Sequence, residues 1–219
     1  MPQFENVTFS YKTEDFGNFP QKPLLDRFSM SIPEGAITVI TGPSGCGKTS
    51  TLKLLAGILQ PISGNVRRET ENISYLPQEA LLLPWRTAVE NVNLVLSDTK
   101  KTLSDATLWL ERVELGQAGA LYPDELSGGM AQRVALARTL AANADLLLFD
   151  EPCRGMDRAL HERMLDLIAV QCVGKTAVIV SHDPTDLRIA NYSVTFHGSS
   201  PNIVRVSLPG CLPSSMPRD

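Results

Sequence analysis

The sequence predicts an α/β fold with a mainly parallel sheet, and three observations favour it. Four short apolar runs lack the alternation of a half-exposed strand, so each suits a strand that is buried on both faces. Helical patterns lie between these runs, which is the order that a parallel sheet requires. Each run also ends in polar or glycine-rich sequence, and ligands bind at that edge of open α/β sheets. The runs are residues 36–40, 73–76, 146–149 and 177–180, and the helical patterns are residues 49–58, 104–113, 130–142 and 158–171.

The remaining segments precede or interrupt this core. Alternating apolar residues predict two N-terminal strands, around 7–11 and 28–32, with a polar loop at 12–23 between them. Segment 79–144 is mostly helical and too long for a simple crossover, so we expect a helical subdomain inserted into the core. Residues 1–208 are then predicted to form a single domain. The tail 209–219 is rich in proline and serine and is expected to be disordered.

The composition disfavours several classes of protein. The net charge of −4 over 219 residues offers no general attraction to nucleic acid or anionic lipid. No apolar run approaches the roughly 20 residues that span a bilayer, and the N-terminus has no signal pattern. We therefore expect a cytosolic chain with no nucleic-acid partner, which would need membrane-spanning partners for any membrane process. The four cysteines lack metal-ligand spacing, so reduced thiols are expected.

A phosphate-binding motif follows the first apolar run. Residues 42–49 match the P-loop pattern G-x-x-x-x-G-K-[ST], between a predicted strand and a predicted helix as that motif requires. Glycines let successive N–H groups converge on phosphate oxygens, and the helix start adds its positive end. Lys48 offers a charge to the β- and γ-phosphates, and Thr49 offers a hydroxyl to Mg²⁺. The candidate residues are Gly42, Pro43, Ser44, Gly45, Cys46, Gly47, Lys48, Thr49 and Ser50.

Two acids end the third apolar run. In P-loop proteins an acid at this place holds the Mg²⁺ shell, a role that fits Asp150. The adjacent Glu151 can act as the general base that activates water. Alone, the pair could equally be two solvated acids at a strand end.

A second glycine motif, Leu126-Ser127-Gly128-Gly129, precedes the helical pattern that contains Arg133. Ser127 is a natural N-cap, and the glycines allow a phosphate to approach the helix start. An isolated S-G-G could be no more than a capped helix. In combination with the P-loop and the L-L-L-F-D-E strand, however, residues 4–196 resemble the ATPases of the ATP-binding cassette (ABC) family.

The resemblance implies a P-loop NTPase core with N-terminal antiparallel strands and an inserted helical subdomain. It implies ATP and Mg²⁺ as cofactors and ATP hydrolysis as the activity. The further roles that it implies are adenine stacking for Tyr11, contact with Mg²⁺ or water for Gln78, contact with the γ-phosphate of an opposite subunit for Ser127, Gly128 and Gly129, a dimer-contact aspartate for Asp157, and a γ-phosphate switch for His182.

The family also implies partners. Its members work as head-to-tail dimers, either homodimers or paired ABC subunits, that power multi-span permeases from the cytoplasmic face of the membrane. The L-P-W-x-T-x-x-x-N-V pattern at 83–92 is similar to that of nitrate, sulfonate and taurine importers, which also use a substrate-binding protein. Leu83, Pro84 and Trp85 could form an apolar surface for a short permease helix, or could simply pack the subdomain.

Two other classes of function remain open at this stage. A soluble ABC ATPase of DNA repair or translation would usually carry coiled-coil insertions or two cassettes. A nucleotide kinase or GTPase would share the P-loop but would not explain Ser127-Gly128-Gly129 or His182. The sequence does not indicate the transported molecule.

Overall fold

The computed structural model describes residues 1–11, 23–96 and 103–196 and the backbone of 206–207. The predicted loop 12–23 lies largely outside this range, as does the predicted disordered tail 209–219. The boundaries of the single domain therefore stay a prediction.

The described residues form two sheets and five α-helices. The strands are β1 (Gln3–Phe9), β2 (Leu25–Ser31), β3 (Ile37–Thr41), β4 (Ser63–Arg67), β5 (Ile73–Leu76), β6 (Leu146–Asp150), β7 (Thr176–Val180), β8 (Tyr192–Thr195) and β9 (Val206–Ser207). The helices are α1 (Lys48–Leu55), α2 (Ala88–Asn93), α3 (Leu103–Arg112), α4 (Gly128–Ala141) and α5 (Arg158–Gln171). Short 3-10 helices cover Gly116–Ala118, Pro123–Glu125 and Pro184–Ile189.

The larger sheet has the strand order β5-β6-β7-β3-β8-β9 and is parallel except for β9. This confirms the predicted fold class. Alternate residues of β6 point to opposite faces: Leu147 and Phe149 pack with the helices α2 to α5, whereas Leu146 and Leu148 pack with α1 and the N-terminal strands. Burial on both faces explains why the sequence of this strand does not alternate.

The smaller sheet is antiparallel, in the order β2-β1-β4. Strand β1 ends at Phe9, so Tyr11, which the sequence predicts to be part of this strand, lies beyond its observed end. The Tyr11 hydroxyl instead lies 3.0 Å from Ser50 Oγ, and its ring packs edge-on against Phe9. This contact draws the chain away from the sheet and towards the P-loop.

Helices α2, α3 and α4 lie in the segment of the chain that connects β5 to β6, where the sequence predicts a helical insertion, and they pack against one another. Their shared apolar contacts include Val92, Leu110 and Val134, all fully buried. Within the part of the chain that the structure describes, no helix combines the length and hydropathy needed to cross a bilayer.

Candidate functional site

A cavity of about 440 Å³ opens at the carboxyl edge of the parallel sheet. Strands β5, β6, β7 and β3 are consecutive neighbours in the sheet, so the segments that follow them converge on this edge. The lining residues are Tyr11, Leu24, Ser44, Gly45, Gly47, Lys48, Thr49, Ser50, Gln78, Glu151, Val180 and His182. Most of the residues that the sequence singles out therefore meet in one place.

The backbone of the P-loop requires glycine at its first position. Gly42 has φ +142°, and a Cβ added there would lie 2.6 Å from the carbonyl oxygen of Phe196. The backbone just after β8 thus approaches the start of the loop too closely for any side chain. Gly47, with φ +100°, is the N-cap of α1. The loop is held in a curl that leads directly into a helix start, which suits a phosphate.

Lys48 lies inside this curl and is 5% exposed. Its Nζ donates to the carbonyl oxygens of Gly42 and Pro43, at 2.8 and 2.7 Å. The Cys46 thiol is buried beside it, with Sγ 3.8 Å from Nζ. The loop therefore positions a buried ammonium where phosphate oxygens would approach.

Asp150 lies at the end of β6, and only one of its two carboxylate oxygens has a hydrogen-bond partner among the described residues. Thr49 Oγ1 donates to Oδ1 at 3.2 Å, while Oδ2 is buried and has no hydrogen-bond partner among the described residues. Burial, and next the charge of Glu151, raise the pKa of Asp150, whereas the Thr49 hydrogen bond opposes this rise. A buried carboxylate oxygen without a partner needs a donor or a cation.

These residues fit Mg²⁺, which commonly binds through one or two carboxylates plus substrate phosphates. Across residues 1–11, 23–96 and 103–196, no cluster of three or more His, Cys, Asp or Glu side chains could hold a metal by itself. Asp150 and Thr49 would therefore need phosphate oxygens to complete a coordination shell. Gln78 lines the same cavity.

Glu151 is held between two other strand ends. Its Oε2 accepts from Gln78 Nε2 at 3.2 Å, and its Oε1 lies 3.3 Å from His182 Nε2. Its backbone has φ +52°, a left-handed conformation that costs a non-glycine residue about 1–3 kcal/mol. The strained backbone and the two contacts fix the carboxylate at the edge of the cavity, where it could accept a proton from water.

The second glycine motif does not join this cavity within the chain. Ser127 caps α4 by accepting from Met130 N at 3.3 Å, and both Ser127 and Gly128 are exposed. A Cβ on Gly129 would lie 3.3 Å from the carbonyl oxygen of Gly155, so the start of α4 packs closely on the turn after β6. Asp157 caps α5 by accepting from Leu160 N at 3.0 Å.

The L-P-W segment is partly exposed. Trp85 is 70% exposed and Leu81 is 63% exposed, while Leu83 is half-buried. The segment is tied down from α2 by Asn91, which is fully buried and bonds to the backbone of Leu83 at 2.8 and 3.2 Å. Simple packing of the subdomain thus accounts for Leu83 but not for Trp85.

The sequence analysis missed polar residues that lie beside the site. Tyr75 on β5 has a buried hydroxyl without a hydrogen-bond partner among the described residues, and burial and the charge of Asp150 raise the pKa of Tyr75. His161 on α5 lies next to the turn that carries His182 and contacts Asp186. Tyr75 lies on β5, three residues before Gln78, which follows the end of that strand, and this spacing could have indicated a position near the site. Nothing in the spacing of His161 indicates its contact.

Comparison with known proteins agrees with this geometry. The family described as "ABC transporter" matches residues 25–154, more than half of the chain. The iron(III) import ATP-binding protein FbpC of Brucella abortus (strain 2308) is 40% identical over 194 residues, which cover 81% of this chain and 54% of that protein. The chain thus spans about half the length of this relative. The aliphatic sulfonates import ATP-binding protein SsuB 1 of Pseudomonas syringae pv. syringae (strain B728a) is 34% identical over 204 residues, covering 92% of this chain and 84% of that protein.

Solved structures show the same fold. A dimeric ATP-binding cassette in a post-hydrolysis state, bound to ADP and Pi, superposes with a TM-score of 0.86 at 27% identity. The superposition covers 96% of this chain and 100% of that one. With the family match, the similar relatives and the shared architecture, this chain belongs to the ABC transporter family.

Proposed function

We propose that this chain binds ATP with Mg²⁺ and hydrolyses it, as the ATP-binding subunit of an importer for a small solute. The observation that carries the proposal is the Glu151 carboxylate, held between Gln78 and His182 at the edge of the P-loop cavity. The names of the similar import proteins support the same assignment.

Each part of the cavity has a role in this reaction. The loop N–H groups and Lys48 bind the β- and γ-phosphates, and Tyr11 stacks on the adenine. Thr49, Asp150 and Gln78 would hold Mg²⁺, which supplies charge neutralisation at the phosphates when bound. Lys48 is buried and donates to two loop carbonyl oxygens, and on ATP binding it would exchange these hydrogen bonds for stronger, charge-assisted ones to phosphate oxygens.

Glu151 acts as the general base. It accepts a proton from a water molecule as the water oxygen bonds to the γ-phosphorus, and the bond to the β-γ bridging oxygen breaks to leave ADP and phosphate. His182 contacts one carboxylate oxygen of Glu151 and would donate to a γ-phosphate oxygen when ATP is bound. Gln78 holds the other oxygen and links the base to the segment that leads to Trp85.

The exposed start of α4 needs a second subunit. Ser127, Gly128 and Gly129 do not line the cavity of their own chain, yet they form a capped helix start suited to an anion. We infer that they meet the γ-phosphate held by another copy, or by a paired ABC subunit, in a head-to-tail dimer, where Asp157 contributes to the contact. The dimeric state of the similar solved cassette supports this arrangement.

The exposed side chains of Leu81 and Trp85 would form the surface that contacts a multi-span permease. The apolar surface of Leu81 and Trp85 lies on a segment that buried Asn91 holds through the backbone of Leu83. Such a surface is suited to a short helix of the partner. The chain would then be peripheral, at the cytoplasmic face of the membrane, with a substrate-binding protein completing the importer. The net charge of −4 gives no general attraction to nucleic acid.

The proposal is tested first by phosphate release from ATP. We expect Glu151→Gln to retain ATP binding and to lose hydrolysis by roughly a hundredfold or more, since a general base contributes about 10²–10⁴ in rate. Glu111→Gln, which changes an exposed glutamate remote from the cavity, is the matched control and should keep the wild-type rate. A wild-type rate in the Glu151→Gln protein would place the base elsewhere.

The partners are tested with the same variant. With ATP, Glu151→Gln should elute as a dimer from a sizing column, and Ser127→Arg added to it should restore the monomer. Trp85→Ala should weaken co-purification of a co-expressed permease, whereas Val173→Ala, a change at a 79% exposed site just after the end of α5, should not. If the Trp85→Ala and Val173→Ala proteins recover equal amounts of permease, the surface of Leu81 and Trp85 is not the permease contact.

A further inference from the structure

The turn that carries His182 is fastened to α5 by a buried pair. Downstream of His182, the 3-10 helix Pro184–Ile189 packs against α5. His161 Nε2 lies 2.5 Å from Asp186 Oδ1, and the two side chains are only 12% and 2% exposed. Since a buried carboxylate is stable only with a close partner, His161 is the residue that permits Asp186 at this position.

A second carboxylate lies on the other side of the same imidazole. Asp183, the residue after His182, has Oδ2 at 3.7 Å from His161 Nδ1 and is 46% exposed. The hydrogen bond from the backbone of Thr185 is the first cause that lowers the pKa of Asp183, and the charges of His161 and Arg158 act in the same direction. His161 is therefore flanked by two acids of one turn, and that turn begins at His182.

Among the described residues, no other charged group of α5 forms a hydrogen bond or ion pair with Asp183, although the charge of Arg158 also acts on this carboxylate. Arg188 fastens the far end of the 3-10 helix, donating to the Glu162 carbonyl at 2.6 Å and pairing with Asp166 at 2.9 Å. Arginine keeps its charge throughout the physiological range, so this second clasp does not respond to pH. The remaining groups are Cys153, whose Sγ lies 4.0 Å from the His161 carbonyl, Arg158, and the Glu151–His182 pair.

We propose that His161 is a positioning residue for His182 and makes the position of that turn depend on pH. A neutral imidazole has one N–H and can donate to one carboxylate, which here is Asp186. The imidazolium form has two N–H groups and can also draw in Asp183, next to His182. Protonation of His161 thus tightens the turn against α5, and deprotonation releases Asp183. The consequence for ATP hydrolysis rests on the function proposed above.

The first test is the pH profile of ATP hydrolysis from pH 5.5 to 8.5. Relative to His161→Arg, which keeps a permanent charge, the wild-type rate should fall about two- to fivefold as His161 loses its proton, the range expected for a half-exposed ion pair. The cavity of about 210 Å³ beside His161 leaves room for the longer side chain. His161→Gln should lose the pH step, and Arg158→Gln, which removes a neighbouring exposed charge, should keep it.

The second test does not need hydrolysis. The chain has three histidines, so the His161 ring signal can be assigned by substitution and followed by NMR without nucleotide. The Thr185 amide donates to Asp183 Oδ1 at 2.8 Å and therefore reports on that carboxylate. We expect the Thr185 signal to move with the same midpoint as the His161 ring in the wild type and not to move with it in His161→Gln.

The outcomes separate the two proposals. A Thr185 signal that titrates identically in wild type and His161→Gln overturns the role of His161. The same conclusion follows if the enzyme is active and the pH profiles of wild type, His161→Arg and His161→Gln superimpose. Coupled titration in a chain that does not hydrolyse ATP would sustain the role of His161 in the turn and contradict the proposed function instead. If His161→Arg does not fold, the glutamine variant and the Thr185 signal still decide.

Discussion

The segment that presents Trp85 depends on one buried side chain, Asn91. Its Oδ1 accepts from Leu83 N at 2.8 Å, and its Nδ2 contacts the carbonyl oxygens of Leu83, Arg86 and Thr87 at 3.2, 3.0 and 3.0 Å. An amide has two N–H groups, so the three carbonyls share two donors. We expect Asn91→Ala to destabilise the protein through the loss of this clasp.

The size of the loss follows from these contacts. The substitution leaves the Leu83 N–H without its acceptor, which costs about 1–3 kcal/mol for a buried group, and removes one or two further hydrogen bonds worth roughly 1 kcal/mol each. A total of about 2–4 kcal/mol is reasonable because the freed carbonyls near exposed Trp85 can bind water. For a chain of this length, 1 kcal/mol lowers the melting midpoint by about 2–4 °C. The expected fall is therefore roughly 4–16 °C.

The assay is unfolding by urea, for the free energy, and by heat, for the melting midpoint, both followed by circular dichroism, with Asn93→Ala as the matched control. Asn93 lies on the same helix, but its buried Oδ1 has no hydrogen-bond partner among the described residues, so its removal should cost less than about 1 kcal/mol. Our reasoning would be refuted by equal losses in the two variants, or by a loss below about 1 kcal/mol in Asn91→Ala.

Three further predictions concern other parts of the chain. Gly42→Ala should abolish ATP binding in a fluorescent-nucleotide assay, because its Cβ would lie 2.6 Å from the Phe196 carbonyl oxygen; normal affinity would contradict this. The hydrogen bond from Arg163 lowers the pKa of Glu114, so the pair stabilises the fold above the unfolded pKa of Glu114 and loses this effect as pH falls through the lowered value. Arg163→Gln should thus lower the urea midpoint slightly at pH 7, and the difference from the wild type should shrink as the pH is lowered below the unfolded pKa of Glu114. Burial raises the pKa of Cys172 to about 12, so this thiol should resist Ellman's reagent at pH 8 until the protein unfolds, and rapid labelling of the native protein would show otherwise.

The sheet could be predicted where burial leaves a mark on the sequence. Strands β5, β6 and β7 are apolar runs, and their predicted ranges differ from the observed ones by no more than one residue. Strand β4 was missed because most of its side chains are exposed and it is held by backbone pairing with β1. Pairing between residues about 60 positions apart, such as Phe4 and Val66, leaves no local pattern.

The sequence was sufficient to predict which residues belong to the site, but not which of them contact each other. Motif spacing identifies Lys48 and Glu151, because the P-loop and the acid after a buried strand are local patterns. The bonds from Gln78 and His182 to Glu151 join three different strand ends, and the left-handed backbone of Glu151 is a consequence of that setting. Such a conformation in a glutamate contradicts its local preference, so only the folded structure could reveal it.

The chain topology separates two helix starts that suit phosphate. The P-loop follows β3, near the middle of the large sheet, whereas Ser127 begins α4 in the helical insertion between β5 and β6. The start of α4 nevertheless packs on the turn after β6 through Gly129 and Gly155, and that turn begins at Glu151. A second subunit that contacts Ser127 would therefore press on the backbone only a few residues from the proposed base. Because the turn begins at Glu151, a shift of its backbone would also move the residue that carries this carboxylate. We therefore expect hydrolysis, rather than ATP binding, to be the step that responds most strongly to substitutions at Gly155.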